Sequence, residues 1–124
     1  MLRLVWIVLA AMLWLPAGAQ AHVHHTAQSA HAGLATISAA QLPQEGRDTL
    51  RAIRQGGPFA YPRDGVVFGN YERALPKHPR GYYHEYTVKT PGARNRGARR
   101  IISGEPGEYY YTADHYKIFK RIQE

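Results

Sequence analysis

Two hydrophobic periods divide the chain. From Pro43 to Gln55, Leu50 and Ile53 share one narrow face with Gly46 and Thr49, while Arg47, Arg51 and Arg54 point elsewhere. That spacing predicts an amphipathic helix. Pro43 suits its first turn and Leu42 can pack at its start. Gly56-Gly57-Pro58 stops it. Beyond that point the pattern changes to short β-type runs: Val66–Phe68, Tyr82–Val88, Arg99–Ser103, Glu108–Thr112 and Tyr116–Ile122, separated by Gly- and Pro-containing connections. One helix followed by hairpin-spaced strands predicts an α+β fold. Its main N-terminal helix packs on a twisted antiparallel sheet of about five strands. No internal repeat is visible.

The first residues follow neither period. Met1 to Arg3 is a short positive start, Leu4 to Leu15 is wholly apolar, and Pro16 breaks the run before Ala19-Gln20-Ala21. This reads as a secretory signal over residues 1–21, cleaved after Ala21. The apolar run is short of the roughly 20 residues a membrane helix needs, so a retained anchor is the weaker reading and no stable membrane association is expected. Residues 22–37, with His22, His24, His25 and His31, read as a flexible leader. A histidine cluster can also bind transition metals, which leaves a periplasmic metal binder as one alternative. The folded domain is expected over residues 38–124. The product is expected outside the cell or in the periplasm, as a monomer.

Composition narrows the partner. The net charge is +7, and +6 once Arg3 is removed with the signal. Such a surface suits a polyanion: nucleic acid, an anionic membrane or an acidic protein. There is no cysteine, so a domain of this size must be held by its core alone.

Alternation along Tyr82–Val88 separates its polar residues. Tyr83, Glu85 and Thr87 share one face; Tyr82, His84, Tyr86 and Val88 share the other. If the Val88 face packs on the helix, Glu85 points to the open concave side and His84 is structural.

Glu85, the arginines of Arg94–Arg100 and His115 form a set suited to phosphodiester chemistry without a metal or other cofactor. RNA carries its own nucleophile, the 2′-hydroxyl. Cleavage needs a base for that proton, an acid for the departing 5′-oxygen, and cations for the added charge of the transition state. Glu85 is the candidate base. His115 is the candidate acid, since histidine ordinarily titrates near ~6.5. Arg96 and Arg100 are candidate phosphate clamps, because guanidinium forks match phosphate oxygens. Singly each has a plainer reading: a solvated strand face, a basic surface, a turn.

Phe68-Gly69-Asn70-Tyr71-Glu72 follows the first strand. Guanine offers two adjacent donors on its Watson–Crick edge, N1–H and N2–H, and the Glu72 carboxylate accepts both. Backbone amides around Asn70 can donate to O6, and Tyr71 offers a stacking face. Spacing alone favours a polar loop with a Glu72–Arg73 charge pair.

These blocks resemble the microbial guanyl-specific ribonucleases, the family of barnase, and most of all its secreted Streptomyces-type branch. The similarity runs from about Leu42 to Ile122. It is carried by Asp48-Thr49-Leu50, Gly57-Pro58-Phe59, Asp64-Gly65-Val66-Val67-Phe68, Leu75-Pro76, Gly81–Val88, Thr90-Pro91-Gly92-Ala93-Arg94, Arg99-Arg100-Ile101-Ile102, Gly104-Glu105, Tyr110-Tyr111-Thr112 and Asp114-His115-Tyr116. The resemblance implies the microbial ribonuclease fold, with RNA on the concave face. It implies cleavage 3′ of guanosine to a 2′,3′-cyclic phosphate, then hydrolysis to the 3′-phosphate. By position it makes Glu85 the base, His115 the acid, Arg96 and Arg100 phosphate ligands, and Tyr116 a further phosphate contact. Glu72 becomes the guanine reader, within a recognition loop of Phe68, Gly69, Asn70 and Tyr71.

The chain departs from that pattern in places. Bacterial relatives often carry Gln or Ser in place of Gly69 and Arg in place of Tyr71; fungal members place tyrosine at the latter to cover the base. Stacking is therefore expected to survive, with Gly69 loosening the loop. The branch's disulfide is absent, which bears on stability. The positive charge is expected to strengthen salt-sensitive RNA binding. A small acidic, barstar-like inhibitor is an implied partner. The alternative from another class is a non-catalytic RNA- or polyanion-binding protein on the same fold.

Overall fold

The computed structural model describes residues 33–124. The expected signal segment and the four leader histidines lie outside the described residues. The elements are β1 (Ala35–Ser38), a single 3-10 turn (Ala39–Gln41), α1 (Gln44–Gln55), β2 (Val67–Phe68), β3 (Tyr83–Thr87), β4 (Arg100–Ser103), β5 (Tyr109–Thr112) and β6 (Lys120–Gln123). They form one helix on a six-stranded sheet of order β1-β6-β5-β4-β3-β2.

Helix α1 follows its pattern. Pro43 sits at the N-cap and Gly56 closes the helix in the left-handed region at φ 75°, a conformation that glycine adopts without a Cβ clash. Gly46 and Leu50 are its buried residues. The Thr49 hydroxyl donates to the Thr87 carbonyl at 3.0 Å, tying the helix to β3.

The five expected strands form the antiparallel ladder β2-β3-β4-β5-β6. Two boundaries are corrected. Strand β1 overlaps the end of the segment read as leader and pairs in parallel with β6, Ile37 opposite Ile122. The sheet is therefore mixed, and the fold begins before Ser38. With Ile37 as its one large apolar residue, β1 is too short to carry a period. Strand β6 begins at Lys120 rather than Tyr116, because His115 and Tyr116 take left-handed backbone, φ 57° and 71°, which cannot continue a strand.

Both sheet faces are covered. Against α1, Leu42, Leu50, Val88, Ile101, Tyr109, Tyr111 and Ile122 form one core. On the other face Leu75, Tyr83, Ile102, Tyr110 and Phe119 form a second, with Phe68 and Tyr116 packed on it. Each fully buried large apolar side chain contributes about 1.5–3 kcal/mol. The Val88 face does pack on the helix, so Glu85 lies on the opposite face. That face is not open, and Glu85 is 6% exposed.

Candidate active site

Glu85 is the centre of β3, and its backbone is fixed twice. Its N–H donates to Val66 O at 2.9 Å, and its carbonyl accepts from Gly65 N at 2.8 Å. Asp64 anchors that turn by accepting from Thr87 N at 2.7 Å and Tyr61 N at 3.2 Å. A buried carboxylate needs partners, and Glu85 has them. Arg96 Nη2 donates to Oε1 at 3.2 Å and the Tyr116 hydroxyl to Oε2 at 2.5 Å. Arg63 Nε stands 3.7 Å from Oε1.

Arg63 was not singled out by sequence. The Arg63-Asp64-Gly65 turn reads only as a connection, and its docking beside β3 leaves no mark on the local pattern. Arg96 is oriented by its Nε donating to Thr87 Oγ1 at 3.0 Å. Arg100 is 2% exposed. Its Nη1 donates to Gly97 O at 3.0 Å and Arg99 O at 2.8 Å, and its Cζ lies 5.9 Å from the Tyr116 ring centroid. Its Nε is buried without a hydrogen-bond partner. A buried unmade donor costs about 1–3 kcal/mol.

Burial raises the Tyr116 phenol above its ordinary pKa, and the Glu85 hydrogen bond and charge add to that; Arg100 opposes them. Tyr116 therefore remains a protonated donor at neutral pH. Its neighbour His115 is exposed, with its N–H bonded to Ala98 O at 2.9 Å. Its ring stands 4.8 Å from the Tyr116 ring. Two successive non-glycine residues in left-handed backbone persist only where the surroundings impose them. Here Thr112 Oγ1 accepts from Tyr116 N, and Asp114 Oδ1 accepts from Ile118 N and Thr112 Oγ1. The Ile118 N–H is the largest cause holding the Asp114 carboxyl below its usual value.

The loop after β2 is closed on itself by Asn70. Its Nδ2 donates to Leu75 O at 2.9 Å, and its Oδ1 accepts from Leu75 N at 3.0 Å. The Asn70 amide thus braces the loop. Phe68 stacks on Tyr116, with centroids 5.2 Å apart. Glu72 is exposed and makes no hydrogen bond or ion pair among the described residues, so the expected Glu72–Arg73 pair does not form. Tyr71 is 81% exposed and its ring lies over Gly69.

A groove of about 470 Å³ connects these parts. Phe68, Gly69, Asn70, Tyr71 and Glu72 line it together with Glu85, His115, Tyr116 and Lys117. Arg96 and Arg100 stand beside it at Glu85 and Tyr116. Eight of the ten residues expected at the site thus line one groove, and Arg96 and Arg100 adjoin it only through Glu85 and Tyr116. His84 takes no part; its ring nitrogens meet the carbonyls of Gly65 and Gly81. A second pocket, beside α1, is lined by Glu45, Asp48 and Asp64 with Lys89 as its one cation, an acidic balance that disfavours phosphate. The groove offers a proton acceptor, an imidazole and an unpaired carboxylate, with fixed cations beside it.

Comparison with known proteins points the same way. A sequence model of the ribonuclease family matches residues 25–123. Guanyl-specific ribonuclease St of Saccharopolyspora erythraea is 53% identical over 88 residues, 71% of this chain and 87% of the relative. Guanyl-specific ribonuclease Sa of Kitasatospora aureofaciens is 57% identical over 90 residues, 72% and 94%. Ribonuclease Sa2, solved in complexes with mononucleotides, superposes with a TM-score of 0.72 at 49% identity, covering 73% of this chain and 95% of its own. The same enzyme with guanosine-2'-cyclophosphate gives 0.69 at 50%, covering 73% and 96%.

Proposed function

We propose that this chain, which belongs to the ribonuclease family, is an endoribonuclease that cleaves single-stranded RNA on the 3′ side of guanosine. The observation that carries the reading is the doubly held, buried Glu85 in a groove that His115 and Glu72 also line. The relatives' guanyl specificity and the nucleotides bound to their solved structures support it.

In the first step Glu85 takes the proton of the 2′-hydroxyl. The O2′–P bond forms, the P–O5′ bond breaks, and His115 gives its proton to the departing 5′-oxygen. The product end is a 2′,3′-cyclic phosphate. In the second step the roles reverse: His115 activates water and Glu85 protonates the leaving 2′-oxygen, which gives the 3′-phosphate. Arg96 and Tyr116 orient Glu85 and face the developing negative charge. Arg100, held beside the Tyr116 ring, adds a fixed positive charge next to them.

In the same groove Glu72 accepts from guanine N1–H and N2–H, backbone amides near Asn70 donate to O6, and Tyr71 and Phe68 supply apolar surface for the base. This reaction asks nothing of a metal. The enzyme is secreted by the segment 1–21 and acts as a soluble monomer. A small acidic inhibitor of the barstar kind protects the producing cell by covering the same groove and the arginines beside it.

Digestion of a short RNA with a single guanosine, in chelator, tests the whole scheme. The expected product carries a 2′,3′-cyclic phosphate on that guanosine. Glu85→Gln and His115→Ala are each expected to lose roughly 100-fold or more in rate. Losses below about tenfold argue against these roles. RNA that is bound with steep salt dependence but left intact identifies a binding protein instead.

A further inference from the structure

We propose that Arg80 is a positioning residue for the base end of the groove, acting through Tyr71, with Gly69 as the seat on which the Tyr71 ring rests. The inference depends on reading residues 68–72 as the guanine site.

Tyr71 is 81% exposed, and an exposed ring ordinarily samples several rotamers. Here it is held from two sides. Arg80 Nη1 donates to its hydroxyl, and the guanidinium carbon lies 5.7 Å from its ring centroid. Below the ring is Gly69, where a Cβ would come within 2.5 Å of both Cε2 and Cζ of Tyr71. Gly69 has no positive φ, so the need for glycine here is one of space. Any larger residue must lift the ring or shift the loop.

The backbone under Tyr71 is already fixed by the Asn70–Leu75 bonds. The remaining freedom is the ring's own, and Arg80 removes it. The turn that carries Arg80 is anchored to β3 through its neighbours: Tyr82 N donates to Pro79 O at 3.1 Å, and Gly81 O meets the His84 ring at 3.1 Å. The lid over the base is thus tied to β3 from outside the groove. Ordering one such side chain before binding rather than during it corresponds to roughly a three- to tenfold change in affinity.

The test is a double-mutant cycle on a guanosine dinucleoside phosphate. Arg80→Gln is expected to raise KM roughly three- to tenfold with kcat within about twofold and thermal stability unchanged. In a Tyr71→Ala background the same substitution is expected to do nothing further. Gly69→Ala is expected to match Arg80→Gln and likewise to add nothing to Tyr71→Ala. An Arg80 effect of equal size with and without Tyr71 would mean direct contact with RNA and overturns the proposal. So does an unchanged KM in Arg80→Gln alone. Absence of guanosine preference in the unmodified enzyme overturns the base-site reading and this inference together, so the two failures are distinguishable.

Discussion

The Tyr116 hydroxyl donates to Glu85 Oε2 at 2.5 Å while the Tyr116 ring stacks on Phe68 at 5.2 Å. One side chain thereby connects the proposed base of the reaction to the loop proposed to read guanine. Its phenol is held protonated mainly by burial and next by Glu85 itself. The same burial that removes Glu85 from water supplies the donor that orients it.

Tyr116→Phe keeps the stacking and removes only that donor. A hydrogen bond to a charged group is worth about 1.5–3 kcal/mol, so kcat/KM is expected to fall roughly 10- to 150-fold. Steady-state kinetics on a guanosine dinucleoside phosphate measures this. An unchanged kcat/KM would mean that Arg96 alone orients the carboxylate.

Arg63 and Arg96 approach the same oxygen of Glu85 from different environments. The Arg96 side chain is 24% exposed and stands at 3.2 Å; that of Arg63 is 64% exposed and stands at 3.7 Å. An exposed pair is worth about 0–1 kcal/mol and weakens with salt. Arg63→Gln is therefore expected to cost less than about tenfold in kcat/KM, with the loss shrinking as salt rises. Arg96→Gln should cost more and keep most of its loss at high salt. Rates at two ionic strengths separate them.

Arg100→Lys retains the charge but loses the buried Nε and the planar fork. Guanosine 3′-monophosphate is expected to raise the Tm of the unmodified protein by linkage and to raise that of the variant less. Equal shifts would remove Arg100 from the phosphate site.

Glu108 gives a pH-dependent contribution to stability. Burial pushes its carboxyl up, but the phenols of Tyr110 and Tyr82, at 2.6 and 2.5 Å, act the other way with the Glu105 backbone and His78. The net result is a value below the ordinary 4.5. A lowered folded pKa stabilises fully above the unfolded value and is lost as pH falls through the folded one. Glu108→Gln is thus expected to cost about 1–3 kcal/mol at neutral pH. The difference should shrink as pH falls below 4.5. Urea denaturation at pH 7 and in acid checks this; a difference independent of pH would place its origin outside the charge.

Much of the scaffold was legible because the signals are local. The period of Leu50 and Ile53, the Gly56 stop and the alternation of Tyr83, Glu85 and Thr87 each span one element, and each appears in the structure with boundaries moved by a residue or so. Strand β1 was not legible. Its four residues carry little apolar pattern, and it is a strand because β6, from the far end of the chain, pairs with it. The start of β6 was misplaced because side-chain bonds from Thr112 and Asp114 hold His115 and Tyr116 in left-handed backbone that no propensity marks.

The sequence by itself determined the α+β class, the helix, the antiparallel ladder, the facing of Glu85 and the residue types around it, all through periodicities read within a few residues. Only the tertiary structure decided that Glu85 is buried rather than open, that Arg63 reaches it, that Arg100 Nε is left unpaired and that Tyr71 is pinned between Arg80 and Gly69. The Arg63–Glu85 contact joins segments distant along the chain, while Tyr71 meets Gly69 and Arg80 two and nine residues away. They are set by where the turns dock on the sheet, and such contacts leave no periodic trace in the residues that make them.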